Sequence, residues 1–139
     1  ADVGGIGGTL AGNALSIAAM RATLENVLTP AAYQVTLALA ERYEAGVVDV
    51  IQRWELPWIV KRLGGRVEYW FRQSPPRNGG EAAAAIDAEL DRYMHLFALN
   101  RRILMTPFHN MALMSPLTTQ ADVDTHTQVF EEAVKSLFG

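Results

Sequence analysis

The chain has 139 residues, half of them hydrophobic, which is enough for one domain with a buried core and too few for two ordinary ones. A balance of 12 basic against 15 acidic residues gives a formal net charge of −3 with no like-charge run, which argues against a nucleic-acid or membrane-surface partner. With no cysteine there are no disulfides or thiolate metal sites, no apolar run approaches the ~20 residues that cross a bilayer, and a cytoplasmic setting is the default expectation.

The chain opens on Ala1-Asp2-Val3, without a methionine or a preceding structural element, and is expected to be a piece of something longer. It runs at once into Gly4-Gly5-Ile6-Gly7-Gly8-Thr9-Leu10-Ala11-Gly12-Asn13. The glycines open backbone conformations closed to other residues, and Thr9 and Asn13 set polar groups beside the free N–H donors of a helix start. Such a place attracts an anion, most often a phosphate. The competing reading is a flexible lead-in with Asn13 as an ordinary N-cap. The spacing fits neither G-x-G-x-x-G nor a Walker loop, so any phosphate here belongs to another kind of cofactor.

Ile17, Met20, Leu24 and Leu28 recur at helical spacing, so a first helix is expected over about 14–28. Thr29-Pro30 reads as an N-cap with proline in the first turn, opening a second helix along Tyr33, Leu37, Ala40, Val47 or Val48, and Ile51. Gly46 weakens that helix without breaking it. Leu56-Pro57 stops it, and Trp58–Leu63 and Arg66–Arg72 around Gly64-Gly65 read as a hairpin with Val67, Tyr69 and Phe71 on one face. Residues 73–80, rich in proline and glycine, are expected to form an exposed loop.

A third helix is predicted over about 81–99, with Ile86, Leu90, Tyr93 and Phe97 on its packed side. Ile103–Thr106 and Met111–Ser115 are short apolar runs, read as two strands around a bend at Pro107-Phe108-His109-Asn110. Thr119-Gln120-Ala121-Asp122 resembles a capping box and opens a last helix on Val123, Phe130, Val134 and Leu137. Helices with two pairs of strands and no linker between them define an α+β layered domain: a small antiparallel sheet with helices packed on it.

The three histidines, His95, His109 and His126, lack metal-ligand spacing, so no metal site is expected. His95 follows Asp91, and His126 follows Asp122, by four residues, the spacing of ordinary pairs on a helix surface. His109 lies with Asn110 in the bend, where it reads either as ligand-facing or as a structural histidine. No serine stands in a nucleophile-elbow setting. The carboxylates at 87, 89, 91, 122 and 124 read as solvated helix surface, and Met105, Met111 and Met114 as core filler. Only Lys61 and Lys135 are available to form an imine, and neither context suggests an activated amine. No catalytic residue is assigned in this chain.

Gly8-Thr9-Leu10-Ala11-Gly12-Asn13-Ala14-Leu15 resembles the G-T-x-x-G-N-P-L segment of class III pyridoxal-phosphate aminotransferases, especially the glutamate-1-semialdehyde aminomutase branch. Leu56-Pro57, the Gly64-Gly65 hairpin, Arg102-Ile103-Leu104-Met105-Thr106-Pro107 and Ser115-Pro116-Leu117-Thr118 resemble the C-terminal part of that family in order and spacing. The resemblance implies the C-terminal small domain of a fold-type I enzyme that uses pyridoxal 5′-phosphate to move an amino group between small-molecule donors and acceptors. It implies that Gly8 and Thr9 contact the cofactor phosphate of the neighbouring subunit in a homodimer. Residues 1–28 become the phosphate loop and an interdomain helix, and residues 29–139 the small domain.

The catalytic large domain, with the imine-forming lysine, is absent from this chain. It is implied as a partner that docks on an exposed apolar surface. His109, Asn110 and Arg102 become substrate-side candidates. Arg101 and Arg102, read as neighbours on a strand, point to opposite faces, so at most one reaches a substrate carboxylate. Ala14 departs from the family's proline at little cost. The alternative is a stand-alone α+β domain for ligand sensing or protein association.

Overall fold

The computed structural model describes residues 12–106 and 110–139, so Gly8, Thr9 and His109 lie outside the described residues. Each long helix begins where the sequence supplies a cap. Asn13 accepts the Ser16 N–H at 2.9 Å to open α1 (Ala14–Asn26). Thr29 accepts the Ala32 N–H at 3.2 Å, with Pro30 in the first turn, to open α2 (Pro30–Arg53). α2 continues unbroken through Gly46.

β1 (Ile59–Leu63) and β2 (Arg66–Trp70) form the expected hairpin, Leu63 opposite Arg66. Gly64 takes φ 59°, the left-handed conformation that a tight turn asks of glycine. β3 (Met111–Leu113) adds antiparallel to β2 with Ala112 opposite Val67, giving the order β1-β2-β3. α5 (Gln120–Phe138) opens on a reciprocal capping box. Thr119 accepts the Asp122 N–H at 3.2 Å, and the Thr119 N–H donates to Asp122 Oδ2 at 2.8 Å.

The core lies where α2 packs on both the hairpin and α5. Tyr43, Val47 and Val50 meet Val67 and Tyr69 of β2 and Phe130, Ala133 and Val134 of α5, all buried. Trp58 closes one side, edge-on to Phe71 and Phe130. Burial of each such side chain contributes about 1.5–3 kcal/mol, which places most of the domain's stability in these three elements.

Several expectations fail. The helix expected over 81–99 is two: α3 (Gly79–Ala84) and α4 (Ala88–Leu99). Asp87 turns its carboxylate onto the Glu89 and Leu90 N–H groups, which starts a new helix and leaves Ile86 exposed. The segment 103–106 is not a strand. It leaves α4 through a left-handed residue, Arg102 at φ 67°, and runs into Pro107, which has no N–H for a ladder. Arg101 and Arg102 therefore sit in a turn. On α5, Leu137 is exposed. His126 is buried, at 6% exposure, because its face of α5 turns toward Tyr43 and not toward solvent.

Candidate functional site

The end of α4 sets one wall of the candidate site. The Ile103 N–H reaches back to the Ala98 carbonyl at 3.0 Å and the Arg102 N–H to the Leu99 carbonyl at 3.0 Å, so Arg102 occupies the left-handed position of a Schellman turn. Its neighbour is committed elsewhere. The Arg101 guanidinium lies 3.5 Å from the centroid of Phe97 and donates to Glu132 at 3.2 Å. Arg102 is exposed, with no partner for its guanidinium among the described residues. Of the two arginines, Arg102 alone remains available to an anion.

Between residues 103–106 and 111–114 lies a cavity of about 250 Å³. Met105, Met111 and Met114 line it, and Tyr43, Asp122 and His126 reach it from α2 and α5. Tyr43 Oη and His126 Nε2 are 3.1 Å apart. Burial pushes His126 down to about 4 and raises the Tyr43 phenol, so both are neutral near pH 7. Asp122 is committed to its capping box and Asp124 to Arg42, at 2.6 Å.

Asn110 immediately precedes β3. Its Nδ2 donates to Asp91 Oδ1 at 2.5 Å, and its carbonyl accepts the Tyr69 N–H at 3.1 Å. Asn110 and Asp91 line a cavity of about 30 Å³ with Glu68, Trp70 and Ile86. The negative charge of Asp91 adds to burial in raising the Tyr69 phenol. Glu68 is buried with Arg66 at 2.7 Å.

The structure does not bring Arg102 and Asn110 to one cavity: Asn110 lines the smaller, and Arg102 neither of the two. Both contacts that organise the site, Tyr43 to His126 and Asp91 to Asn110, were missed in the sequence. Their partners are 83 and 19 residues apart, beyond any local spacing rule. Among the described residues no group of three or more histidines and carboxylates gathers to hold a metal ion. No helix there is long and apolar enough to cross a membrane.

No protein-family model matches the chain. Across 96% of its length it superposes on a glutamate-1-semialdehyde aminomutase of Pseudomonas aeruginosa PAO1, crystallised as a variant in complex with PMP. The TM-score is 0.90 and the identity 49%, over 29% of that protein. Its fold is the C-terminal small domain of a fold-type I aminotransferase.

This small domain also matches the glutamate-1-semialdehyde 2,1-aminomutase 1 of Listeria welshimeri, 30% identical over 135 residues. An omega-transaminase of Sphaerobacter thermophilus shares the fold, with a TM-score of 0.81 over 97% of this chain and 31% of its own at 22% identity. The chain spans about 30% of the length of the curated relatives it matches. A larger domain is therefore missing from it. α1 has no buried residue and exposes Leu15, Ile17, Met20 and Leu24, an apolar helix with nothing covering it among the described residues.

Proposed function

We propose that the complete protein is a pyridoxal-phosphate-dependent aminotransferase or aminomutase that moves an amino group between an amino acid or amine and a keto acid or aldehyde. The observation that carries this reading is the 49% identity, at a TM-score of 0.90, to the Pseudomonas aminomutase in complex with PMP. In this reading the protein is cytoplasmic and a homodimer. Residues 1–28 form the phosphate loop and interdomain helix, and residues 29–139 the small domain. Gly8 and Thr9 contact the cofactor phosphate of the neighbouring subunit, and His109, Asn110 and Arg102 face the substrate. The exposed apolar stripe of α1 supports a division near residue 28 and a docking role toward the missing domain.

When bound, pyridoxal phosphate supplies the electron sink for the reaction. The described residues do not fit it by themselves. Lys61 and Lys135 are both exposed, and a lysine poised to form an imine is desolvated or set beside another cation. In this reading neither lysine, and none of the described residues, performs the chemical step. Its residues shape the substrate side, and the imine-forming lysine belongs to the missing domain.

The test is borohydride reduction of the complete protein loaded with pyridoxal phosphate, followed by peptide mapping. The expected label falls on one lysine outside these 139 residues, and the 139-residue chain alone takes none. A stoichiometric label on Lys61 or Lys135 overturns the reading.

A further inference from the structure

The lining of the cavity between residues 103–106 and 111–114 grades from exposed Leu104 and Leu113, at 80% and 62%, to buried Tyr43 and His126, at 2% and 6%. The space therefore runs inward from the surface to α2 and α5. Met105, Met111 and Met114, all half-buried, supply much of its wall. The polar groups at the inner end are engaged with each other, Tyr43 Oη lying 3.1 Å from His126 Nε2, and both are uncharged near pH 7. The lining contains no lysine or arginine, and its one carboxylate, Asp122, is held in the capping box by Thr119.

These features select one kind of occupant. A carboxylate entering this space would leave water with no cation to meet it, and an ammonium would meet only Asp122, which already accepts from Thr119. An uncharged apolar group gains by leaving water and needs no partner. Methionine is unbranched and polarisable, so it adjusts to an irregular apolar shape and makes favourable contacts between its sulfur and an aromatic edge. At about 250 Å³ the space exceeds the roughly 150 Å³ of an apolar cavity that takes up benzene. We infer that this cavity is a binding site for an uncharged apolar group about the size of a benzene ring. Such a group arrives either as the side chain of a substrate or as a separate small molecule. The site is independent of the aminotransferase reading.

The experiment uses the complete protein with isotope-labelled methionine methyl groups, assigned through single methionine-to-leucine variants, and titrates it with benzene and separately with benzoate. The expected result is a set of ring-current shifts at Met105, Met111 and Met114 that saturate with a Kd on the order of 1 mM, in keeping with a ligand this small. Met20, exposed on α1, and Met94, buried on α4, do not move. Benzoate binds more weakly by about tenfold or more, because its charge has no partner in the lining. Thr106→Phe and Ala112→Leu add bulk to the two walls, and each is expected to weaken benzene by about tenfold or more while keeping a cooperative thermal transition. If one of them does not fold, the other decides.

Absence of a saturable shift, as when a side chain of the missing domain already fills the space, overturns the inference. Equal shifts at Met20 or Met94, equal affinity for benzoate, or unchanged benzene affinity in the folded variants overturns it too. Amino-transfer kinetics with L-alanine and L-phenylalanine separate the two sources. Saturating benzene raises KM for L-phenylalanine and not for L-alanine when the site takes the side chain of the substrate, and raises neither when it takes a separate molecule. Failure of wild type to transfer amino groups at all counts against the aminotransferase reading, and the methyl shifts still decide the cavity.

Discussion

Gly46 of α2 faces Thr127 of α5 so closely that a Cβ on the glycine would stand 2.6 Å from Thr127 Oγ1 and 2.9 Å from its Cγ2. The two central helices of the core meet at this crossing. Threonine in a helix has little rotamer freedom, and Oγ1 is already held by the Val123 carbonyl at 3.1 Å, so the side chain cannot swing aside cheaply. A glycine that weakens α2 locally is thus what lets α2 approach α5.

The corresponding prediction sets two effects against each other. Gly46→Ala improves helix propensity by about 1 kcal/mol. The clash costs about 1–3 kcal/mol, and overpacking wins. The variant is expected to unfold at a lower temperature than wild type. In a Thr127→Ala background the two closest atoms are gone and only Cβ remains, at 3.3 Å, a contact that a shift of a few tenths of an ångström relieves, and the same substitution should stabilise. Thermal unfolding of the four proteins checks both signs, and a stabilising Gly46→Ala in the wild-type background sinks the argument.

α2 and α4 end alike. Beyond α2, the Leu56 N–H returns to the Ile51 carbonyl at 3.0 Å and the Glu55 N–H to Gln52 at 3.1 Å, with Glu55 at φ 51°. At the end of α4, Arg102 holds the same position at φ 67°. A left-handed residue other than glycine costs roughly 1–2 kcal/mol, part of which glycine returns through its freer unfolded chain. Glu55→Gly and Arg102→Gly are each expected to stabilise by about 0.5–1 kcal/mol in chemical denaturation. The two should part in the complete protein. Arg102→Gly weakens binding of anionic substrates if that side chain holds them, and Glu55→Gly does not.

These details separate what was legible from what was not. The helices α2 and α5 could be read because their starts are local chemistry, Thr29-Pro30 and the Thr119 to Asp122 box. The hairpin could be read because Gly64-Gly65 marks its turn. The break before α4 could not: the alanines at 82–85 favour helix, the apolar spacing runs through Ile86, and only tertiary packing shows that Asp87 caps instead of continuing. Ile103–Thr106 is an apolar run of strand length, and the Schellman turn that denies it a ladder depends on Arg102 adopting a conformation its side chain disfavours. In the candidate site, Asn110 was legible as a polar residue in a bend. Its orientation was not, because Asp91 reads equally well as solvated helix surface. His126 was misread for a similar reason: a histidine four residues after Asp122 fits an exposed pair, and its actual partner, Tyr43, is on another helix.

The burial of His126 has a consequence in pH. Its folded-state value is about 4, against about 6.5 when unfolded, with burial the cause. Below pH 6.5 the unfolded chain takes up a proton that the folded one refuses, so the stability present above pH 6.5 is lost as pH falls toward 4, in all by about 3 kcal/mol. The carboxylates held low by partners, such as Asp122 by Thr119 and Asp124 by Arg42, also lose stability on acidification, but only as pH falls below about 4.5. The slope expected from His126 thus begins about two pH units above that of these carboxylates. Urea unfolding at several pH values should show stability falling across that window in the wild type. His126→Gln keeps a hydrogen-bonding group beside Tyr43 and does not titrate, so its stability should be lower at pH 7 and should lose the part of the slope that His126 supplies down to pH 4.5. A slope of equal size in that variant would place the titrating group elsewhere.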